Sequence, residues 1–160
     1  MIGNTKYYLG GKNIIYNNGF VDTPLQFYSY ERKTQNTTSN EFYYGTNPNS
    51  WVGKLGLMYL SDYGYASSNC ENKRINDSNS SSNDIRACNA TNWLFNNAYQ
   101  WLLSQSTSRS YYAFYVDSGG SVNYSFVNYQ FAARPVLFLK SNVLIKSGNG
   151  TNTNPYTFGL

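Results

Sequence analysis

Short runs of aromatic and β-branched residues alternate with turn residues along this chain, and this pattern restricts it to small, tightly turned elements. Tyr111–Val116 is followed by Gly119-Gly120 and then by Ser121–Val127. Ile14-Ile15-Tyr16 likewise runs into Asn17-Asn18-Gly19. Because β-prone runs on either side of such turn residues are typical of hairpins, the sequence predicts a mostly β domain of short antiparallel strands, with one or two short helices around a small aromatic core.

The remaining runs predict two more strands and a helix. Pro24–Tyr30 and Arg134–Leu139 read as strands, and the apolar content of the second predicts that it is buried. A short helix is expected to start at Thr91 or Asn92, because either side chain suits an N-cap. Each tryptophan lies within an apolar string and is expected in the core; the three are Trp51, Trp93 and Trp101.

The composition sets the size of the domain and excludes several classes of protein. At 160 residues the chain is long enough for one domain with its own core and too short for two ordinary ones. No run of about 18 apolar residues is present, so no membrane span is expected. Histidine is absent, which excludes His-based triads, imidazole metal sites and a histidine pH switch. We therefore expect residues 1–160 to form a single non-enzymatic domain that needs no cofactor.

The charge of the chain does not favour nucleic-acid binding. With 12 Lys and Arg against 8 Asp and Glu the formal net charge is +4, but the cations are spread from Lys6 to Lys146. The tightest groups are Glu31-Arg32-Lys33, which includes an acid, and Lys73-Arg74. Nucleic-acid binding requires basic residues gathered on one face. A lightly charged, polar surface without a nucleic-acid partner is therefore expected.

Cys70 and Cys88 flank the centre of a polar insertion, residues 67–92, that consists largely of Asn and Ser. Neither cysteine belongs to a CxxC pair, and without histidine no partner completes a zinc site. Free reduced cysteines usually lie in apolar elements, whereas these two border a loop, so we predict a disulfide that pins the insertion. A disulfide in turn predicts an extracytoplasmic location. Because Met1 to Asn4 lead into polar sequence rather than a secretory signal, export would have to be arranged elsewhere or by residues trimmed from the N-terminus.

The acidic residues do not form a recognisable catalytic or metal-binding set. Asp117 is the only plausible partner of Asp62 for calcium, which normally takes several oxygen ligands, so a turn or helix cap is the favoured role for Asp62. No pair of acids is marked out for glycoside hydrolysis. Arg134 is expected to pair with a carboxylate such as that of Asp62 rather than to bind an anion. No catalytic residue and no metal ligand is therefore predicted.

The hairpin segment Tyr111–Phe131 is the predicted contact surface. Alternation along its first strand displays Tyr111 and Tyr115 if Phe114 and Val116 face the core. Tyrosine offers a large contact area at low entropic cost, amides offer adaptable hydrogen bonds, and exposed rings stack on sugars. The candidate ligand-binding residues are Tyr111, Tyr112, Tyr115, Asn123, Tyr124, Phe126, Asn128 and Tyr129. The alternative is that these aromatics are ordinary strand or core residues, since tyrosine has a high β-propensity.

Several strings of residues, taken in order, are more specific than the composition. They are Gly53–Tyr59 followed by Ser61–Ala66, Trp93-Leu94, Trp101–Ser104, Val116–Val122, Arg134–Leu137, Lys140–Val143 and Ser147–Tyr156. In this order they resemble the C-terminal globular domain of type IV pilin-like surface proteins of gut bacteria. The same set of Trp-Leu, Gly and Arg-Pro motifs resembles that of a broader group of exported bacterial domains. That group is similar to the formylglycine-generating-enzyme-like branch of the C-type lectin fold.

The resemblance covers nearly the whole chain and implies an α+β domain with a C-type-lectin-like fold whose termini meet in one sheet. Members of the pilin-like group begin with a Gly-Phe-Thr-Leu-Ile-Glu-type cleavage site and a long apolar helix, and residues 1–160 contain neither. Assembly into a pilus would therefore need a helix that these residues lack. The sulfatase-activating enzymes of the branch need an active-site cysteine constellation, whereas Cys70 and Cys88 lie in a polar loop, so that activity is not carried over.

A related branch comprises the variable proteins of diversity-generating retroelements, which place mutable residues near the C-terminus of this scaffold. Adenine-directed mutation of Asn codons yields Asn, Tyr, Ser, Asp and Phe, and residues 106–131 have this composition. Because Asn, Tyr and Ser are frequent throughout the chain, composition alone does not separate a diversified segment from a merely Tyr-rich one.

The residues and the resemblance together predict an exported, non-enzymatic adhesion domain on a bacterial surface or pilus. Its partner would be an unidentified protein or glycan receptor, and other pilus subunits are a further expected partner. The alternative is a purely structural pilin-type subunit that packs against copies of itself and has no soluble ligand. Neither expectation includes a nucleic acid, a cofactor or a metal ion.

Overall fold

The computed structural model describes residues 2–12, 23–33, 50–68, 70–74, 85–107, 109–151 and 153–160. The turn predicted at Asn17-Asn18-Gly19 lies outside the described residues. Within them, helices span Pro24–Glu31 (α1) and Leu60–Tyr65 (α2), and a 3-10 turn spans Arg86–Cys88. The strands are β1 (Thr5–Tyr8), β2 (Gly11–Lys12), β3 (Ser50–Gly53), β4 (Gly56–Leu57), β5 (Gln100–Ser106), β6 (Tyr112–Val116), β7 (Val122–Phe126), β8 (Pro135–Val136), β9 (Leu144–Ser147) and β10 (Thr157–Gly159).

A four-stranded sheet in the order β2-β5-β6-β7 forms the centre of the domain. Strand β6 is antiparallel to both of its neighbours, β5 and β7, and β2 pairs with β5 in parallel. Gly120, with φ at 82°, lies in the turn between β6 and β7, where any side chain would also collide with Asn89. The hairpin predicted at this Gly-Gly turn is therefore confirmed.

Alternation along β5 separates the two faces of the central sheet. Every second residue is buried from Gln100 to Ser106, and the residues between them are only partly buried. The buried side packs against both helices, where Phe27 of α1 meets Phe114 of β6 edge-on at a ring-centroid distance of 5.6 Å. The main apolar members of this core are Phe27, Met58, Leu60, Tyr63, Ile85, Leu102, Phe114, Val116 and Val122.

The segment from Pro24 to Tyr30, predicted as a strand, belongs to helix α1, so that prediction is wrong. Thr23 is the N-cap, Gln26 completes a capping box, and Pro24 takes the first helical position. The Gln26 side chain accepts a hydrogen bond from the Thr23 N–H at 2.8 Å, and Thr23 Oγ1 accepts one from the Gln26 N–H at 3.4 Å. These local hydrogen bonds outweigh the β-propensity of the aromatic residues that follow.

Glu31, at the end of α1, is fully buried between α2 and β5. Its Oε1 accepts a hydrogen bond from the Ser61 N–H at 3.2 Å, and the carboxylate also accepts from the hydroxyl groups of Ser61 and Ser104. Ser104 Oγ in turn accepts from the Leu60 N–H at 3.0 Å. Arg32 Nη1 lies 3.3 Å from Glu31 Oε2. Burial raises the pKa of Glu31 to about 7, against the opposing effect of these hydrogen bonds and of Arg32.

The helix predicted to start at Thr91 or Asn92 is not formed, so that prediction is wrong. The chain makes successive turns here instead. Asn92 Oδ1 accepts a hydrogen bond from the Leu94 N–H at 3.0 Å, and Asn92 Nδ2 donates to the Tyr63 carbonyl at 2.9 Å. The second bond ties the segment to α2, and the first closes a local turn within the segment, so neither continues a helical ladder.

The segment Arg134–Leu139 is not the buried strand that its apolar content predicts. Pro135–Val136 pairs with β4, and beyond it Leu139 forms only an isolated bridge with Ile2. The three residues that follow Val136 are exposed. Because β4 has only two residues, Gly56 and Leu57, the ladder ends after two pairs. The apolar side chains beyond it remain at the surface.

The tryptophans do not lie in the core as predicted. Trp93 is 73% exposed. Trp51 is also exposed and stacks on Tyr7 with ring centroids 5.1 Å apart. Trp101 is half-buried, on the side of β5 that faces away from the helices. An apolar neighbourhood in the sequence therefore did not mark a core position for any of the three.

Cys70 and Cys88 form a disulfide with Cα atoms 6.0 Å apart, as predicted. Both are buried in the core together with Ile85, so the insertion is anchored at two points. No helix in the described part of the chain is long and apolar enough to cross a membrane.

The described residues form an α+β domain of mostly short antiparallel strands and two α-helices, as predicted. The expected meeting of the termini in one sheet is not found among them, because β1 pairs with β3 and β10 pairs with β9. The most C-terminal strands therefore form a separate hairpin.

Replacing Glu31 by Gln should remove the pH dependence that this carboxyl group gives to stability. Its pKa is about 7 in the folded domain against the usual 4.5, so between these values the folded state keeps a proton that the unfolded chain has released. The free energy of unfolding of the wild type is therefore expected to fall as the pH rises from 4.5 to about 7. Urea unfolding across this range should show the decline in the wild type and not in Glu31→Gln.

The Glu31→Gln variant would also lose at least one accepted hydrogen bond, which should lower its stability at acidic pH by about 1–3 kcal/mol. Glu71→Gln, at an exposed acid, is the matched control and should keep the wild-type stability and its decline. Identical pH profiles for Glu31→Gln and the wild type would contradict this role of the buried carboxyl group.

Removing the disulfide should destabilise the domain without changing its charge. Because the bond closes a loop in the unfolded chain, Cys70→Ser/Cys88→Ser is expected to lose about 3 kcal/mol of unfolding free energy. Chemical denaturation measures this loss, and reduced wild-type protein should match the double variant. Equal stability of oxidised wild type and double variant would show that the bond does not anchor the insertion.

Candidate ligand-binding surface

The side of the central sheet that faces away from the helices carries a cluster of aromatic rings. Trp101 of β5 and Tyr115 of β6 are direct partners across the two strands, with ring centroids 6.1 Å apart. The ring of Phe131 lies 4.6 Å from Trp101 and 4.7 Å from Tyr115. It also contacts Tyr99 at 5.2 Å and Tyr129 at 5.7 Å. We call Tyr99, Trp101, Tyr115, Tyr129 and Phe131 the outer aromatic cluster.

The chain after β7 folds back beside the start of β5 and thereby brings Phe131 to the centre of the cluster. The Trp101 N–H donates to the Ala132 carbonyl at 2.9 Å, and the Ala132 N–H donates to the Tyr99 carbonyl at 3.0 Å. Two backbone hydrogen bonds thus position the central ring. The cluster is held by the sheet rather than by a free loop.

Two rings of the outer aromatic cluster are open to solvent. Tyr99 is 46% exposed and Tyr129 is 54% exposed, while the other three rings are half-buried. Burial raises the pKa of Tyr115, and the negative charge of Asp117 adds to this shift. The Tyr115 hydroxyl group therefore stays protonated at neutral pH and keeps a hydrogen to donate.

Asn123 and Asn128 supply amide groups next to these rings. Asn123 pairs directly with Tyr115 across β6 and β7, and its Oδ1 accepts the backbone N–H of the following residue at 2.8 Å. Asn128 is exposed in the turn after β7 and borders, with Phe126 and Tyr129, a hollow of about 380 Å³. Rings for stacking and amides for hydrogen bonding therefore lie side by side.

A second group of rings lies at the end of the β6-β7 hairpin that is remote from its turn. Tyr111 stacks on Phe126 at 5.5 Å, and Tyr112 contacts Phe126 at 4.8 Å and Tyr124 at 5.3 Å. Arg109 lies over the ring of Tyr111, 5.8 Å from its centroid, and also donates to its hydroxyl group. We call Tyr111, Tyr112, Tyr124 and Phe126 the hairpin-end cluster.

The predicted contact residues divide between the two faces of the sheet. Phe114 and Val116 are fully buried, as the alternation predicts. Phe114 pairs directly with Tyr124 and Tyr112 with Phe126, so these rings lie on the same face as the core, at its edge. The residues on or beside the outer face are Tyr115, Asn123, Asn128 and Tyr129.

Sequence reasoning missed Tyr99 and Trp101 of the outer aromatic cluster. It included Phe131 only as the end of the predicted contact segment Tyr111–Phe131 and not among the candidate ligand-binding residues. The apolar string around Trp101 predicts a core position, whereas the two-residue period of β5 places Trp101 opposite the buried Gln100 and Leu102. The two-residue period was the sequence signal that could have placed Trp101 on the outer face. No local sequence signal marked the central position of Phe131, because that position depends on hydrogen bonds between segments distant in sequence.

Asp62 caps helix α2, as predicted, since its Oδ2 accepts a hydrogen bond from the Tyr59 N–H at 3.0 Å. The expected ion pair between Asp62 and Arg134 is not formed, because Arg134 Nη1 instead donates to the Leu94 carbonyl at 2.6 Å. Within the described residues, no group of three or more Cys, Asp or Glu side chains could hold a metal ion.

No protein-family model matches the chain, and no curated protein or solved structure matches it. The assignment of a function therefore rests on the residues and the geometry.

Proposed function

We propose that this chain is an exported adhesion domain of a bacterial cell surface or pilus, which binds a protein or glycan receptor through the outer aromatic cluster. The observation that carries the proposal is the set of rings in mutual contact on the side of the sheet that faces away from the core. The proposed role is non-enzymatic and needs no cofactor.

The chemistry of the cluster suits recognition of a receptor. Tyr99 and Tyr129 present large, stiff rings that stack on sugars or on apolar side chains at low entropic cost. The amides of Asn123 and Asn128 and the protonated hydroxyl of Tyr115 add hydrogen bonds beside the rings. Because the half-buried rings fix the positions of the exposed ones, less ordering is required on binding.

The proposed location has two separate supports. The Cys70–Cys88 disulfide supports an extracytoplasmic environment, because such bonds persist in oxidising compartments. The surface or pilus location, like the C-type-lectin-like assignment of the fold, rests on the resemblance of the ordered motifs. A role as a diversified protein belongs to the same proposal, and residues 106–131 would then include Tyr115, Tyr129 and Phe131 but not Tyr99.

Binding of the purified domain to an array of glycans and surface proteins tests the proposal. Tyr99→Ser/Tyr129→Ser removes the two exposed rings of the outer aromatic cluster and should weaken a specific hit at least tenfold. Tyr28→Ser/Tyr156→Ser is the matched control, because both of its tyrosines are 46% exposed and lie outside the cluster. Thermal melts should show that both double variants fold.

The outcomes separate the binding face from the rest of the surface. A hit lost only in Tyr99→Ser/Tyr129→Ser supports the proposal. A hit that this variant keeps, and that Tyr111→Ser/Phe126→Ser loses, would assign binding to the hairpin-end cluster instead. The absence of any hit for the wild type would contradict a receptor-binding role.

A second candidate function is that of a structural pilin-type subunit without a soluble ligand. The β9-β10 hairpin favours it, because Leu144, Ile145, Phe158 and Leu160 are exposed there. Exposed apolar area of this kind suits packing against a second copy. Sedimentation over a range of concentrations distinguishes the two functions, since only the structural role requires self-association.

A further inference from the structure

A groove of about 310 Å³ lies between α2, the turn at residues 93–94 and the chain that follows β8. This volume is at the lower end of the range for small-ligand sites, about 300–1,000 Å³. Its walls are mainly apolar and aromatic and include Met58, Tyr65, Trp93, Leu94, Leu137 and Phe138. Asp62 carries the only charge among the described residues that line the groove. No member of the outer aromatic cluster contributes to it.

Three aromatic rings border the groove and are open to solvent, those of Tyr65, Trp93 and Phe138. The backbone under Trp93 is fixed, because its N–H donates to the Ala66 carbonyl at 3.4 Å and the neighbouring Asn92 is bonded to α2. An exposed ring on a fixed turn is a preformed contact. At 73% exposure, the Trp93 side chain is open to a ligand.

Asp62 lines the groove and has an unused hydrogen-bonding position. Its Oδ2 accepts from the Tyr59 N–H, whereas Oδ1 receives no donor within the described part of the chain. Burial raises the pKa of Asp62, although the Tyr59 hydrogen bond and the charge of Arg32 act in the opposite direction. A partly buried carboxylate without a cation in contact is stabilised when a cationic ligand arrives.

Neither Arg32 nor Arg134 forms an ion pair with Asp62. Arg32 bonds to Glu31 and stacks on Tyr59, with its guanidinium carbon 3.8 Å from the ring centroid. Arg134 donates to the carbonyl of Leu94. Asp62 therefore has no cation in direct contact, although the charge of Arg32 acts on it from a distance, and a ligand can supply that contact.

We propose that this groove binds the side chain of a lysine presented by another protein. The ammonium group donates to Asp62 Oδ1 and lies against the faces of the surrounding rings, where cation–π attraction adds to the ion pair. The methylene stem covers Leu94, Leu137 and Phe138. The unused oxygen of Asp62 selects a cation with N–H donors over a quaternary ammonium group, which has none. This site is independent of the proposed adhesion surface, because the two share no residue.

An NMR titration tests the proposal with Nα-acetyl-lysine N-methylamide as the probe. The indole N–H signal of Trp93, assigned from its loss in Trp93→Phe, should shift and saturate. Nα-acetyl-norleucine N-methylamide has a similar apolar stem without the ammonium group and should bind at least tenfold more weakly. Choline, a quaternary cation, should also bind more weakly than the lysine probe.

Two variants of the groove, each with a control variant, complete the test. Asp62→Asn keeps an oxygen for the Tyr59 N–H and should weaken binding of the lysine probe at least tenfold. Asp117→Asn is its matched control, because Asp117 Oδ1 likewise accepts backbone N–H groups, at 2.8 and 2.9 Å, in another turn. Tyr65→Leu, which keeps an apolar wall without a π face, should weaken lysine binding more than norleucine binding. Tyr99→Ser/Tyr129→Ser should bind the probe as the wild type does.

Several results would overturn the proposal. Equal affinity for the lysine and norleucine probes, or for wild type and Asp62→Asn, would make the groove a purely apolar site. Tighter binding of choline than of the lysine probe would contradict the proposed preference for a cation with N–H donors. No shift with the lysine probe, or a saturable shift with N-acetylglucosamine alone, would exclude a lysine site.

Discussion

The carboxyl group of Glu31 joins helices α1 and α2 to strand β5 of the central sheet, and the core lies between these helices and the sheet. Helices of eight and six residues are too short to be stable alone and depend on tertiary contacts for their position. Ser61 at the start of α2 and Ser104 on β5 both donate to this one side chain. Arg32 closes its solvent side, with its guanidinium group 4.4 Å from the ring centroid of Tyr28. The arrangement fixes both helices on the same face of the sheet.

Because both helices lie on one face of the central sheet, they do not cover its other face. With Phe27 and Tyr63 against the inner face, the alternate residues of β5 and β6 turn Trp101 and Tyr115 outward, where Phe131 joins them. Helix α2 has two roles in this arrangement, since its buried residues complete the core while others border the groove. The packing of one small core thus positions the residues of both the proposed adhesion surface and the proposed lysine site.

Local patterns predicted the parts of the domain that local interactions decide. The β-prone runs on either side of the Gly119-Gly120 turn predicted the hairpin, and two cysteines beside a polar loop predicted the disulfide. The α1 helix was missed because the prediction followed the β-propensity of the aromatic residues and did not consider the capping box of Thr23 and Gln26, which starts the helix. The exposure of Trp93 and the central place of Phe131 depend on contacts between distant segments, which no local period encodes.

Oxidative footprinting of tyrosine by mass spectrometry tests most directly whether the outer face is a free recognition surface. In the dilute domain, Tyr99 and Tyr129 should be oxidised much faster than the buried Tyr7 and Tyr63. Their rates should stay constant as the protein concentration rises, because the account leaves the outer aromatic cluster open for a receptor. Protection of Tyr99 and Tyr129 that increases with concentration would contradict it, since the face would then be a contact between copies of the chain.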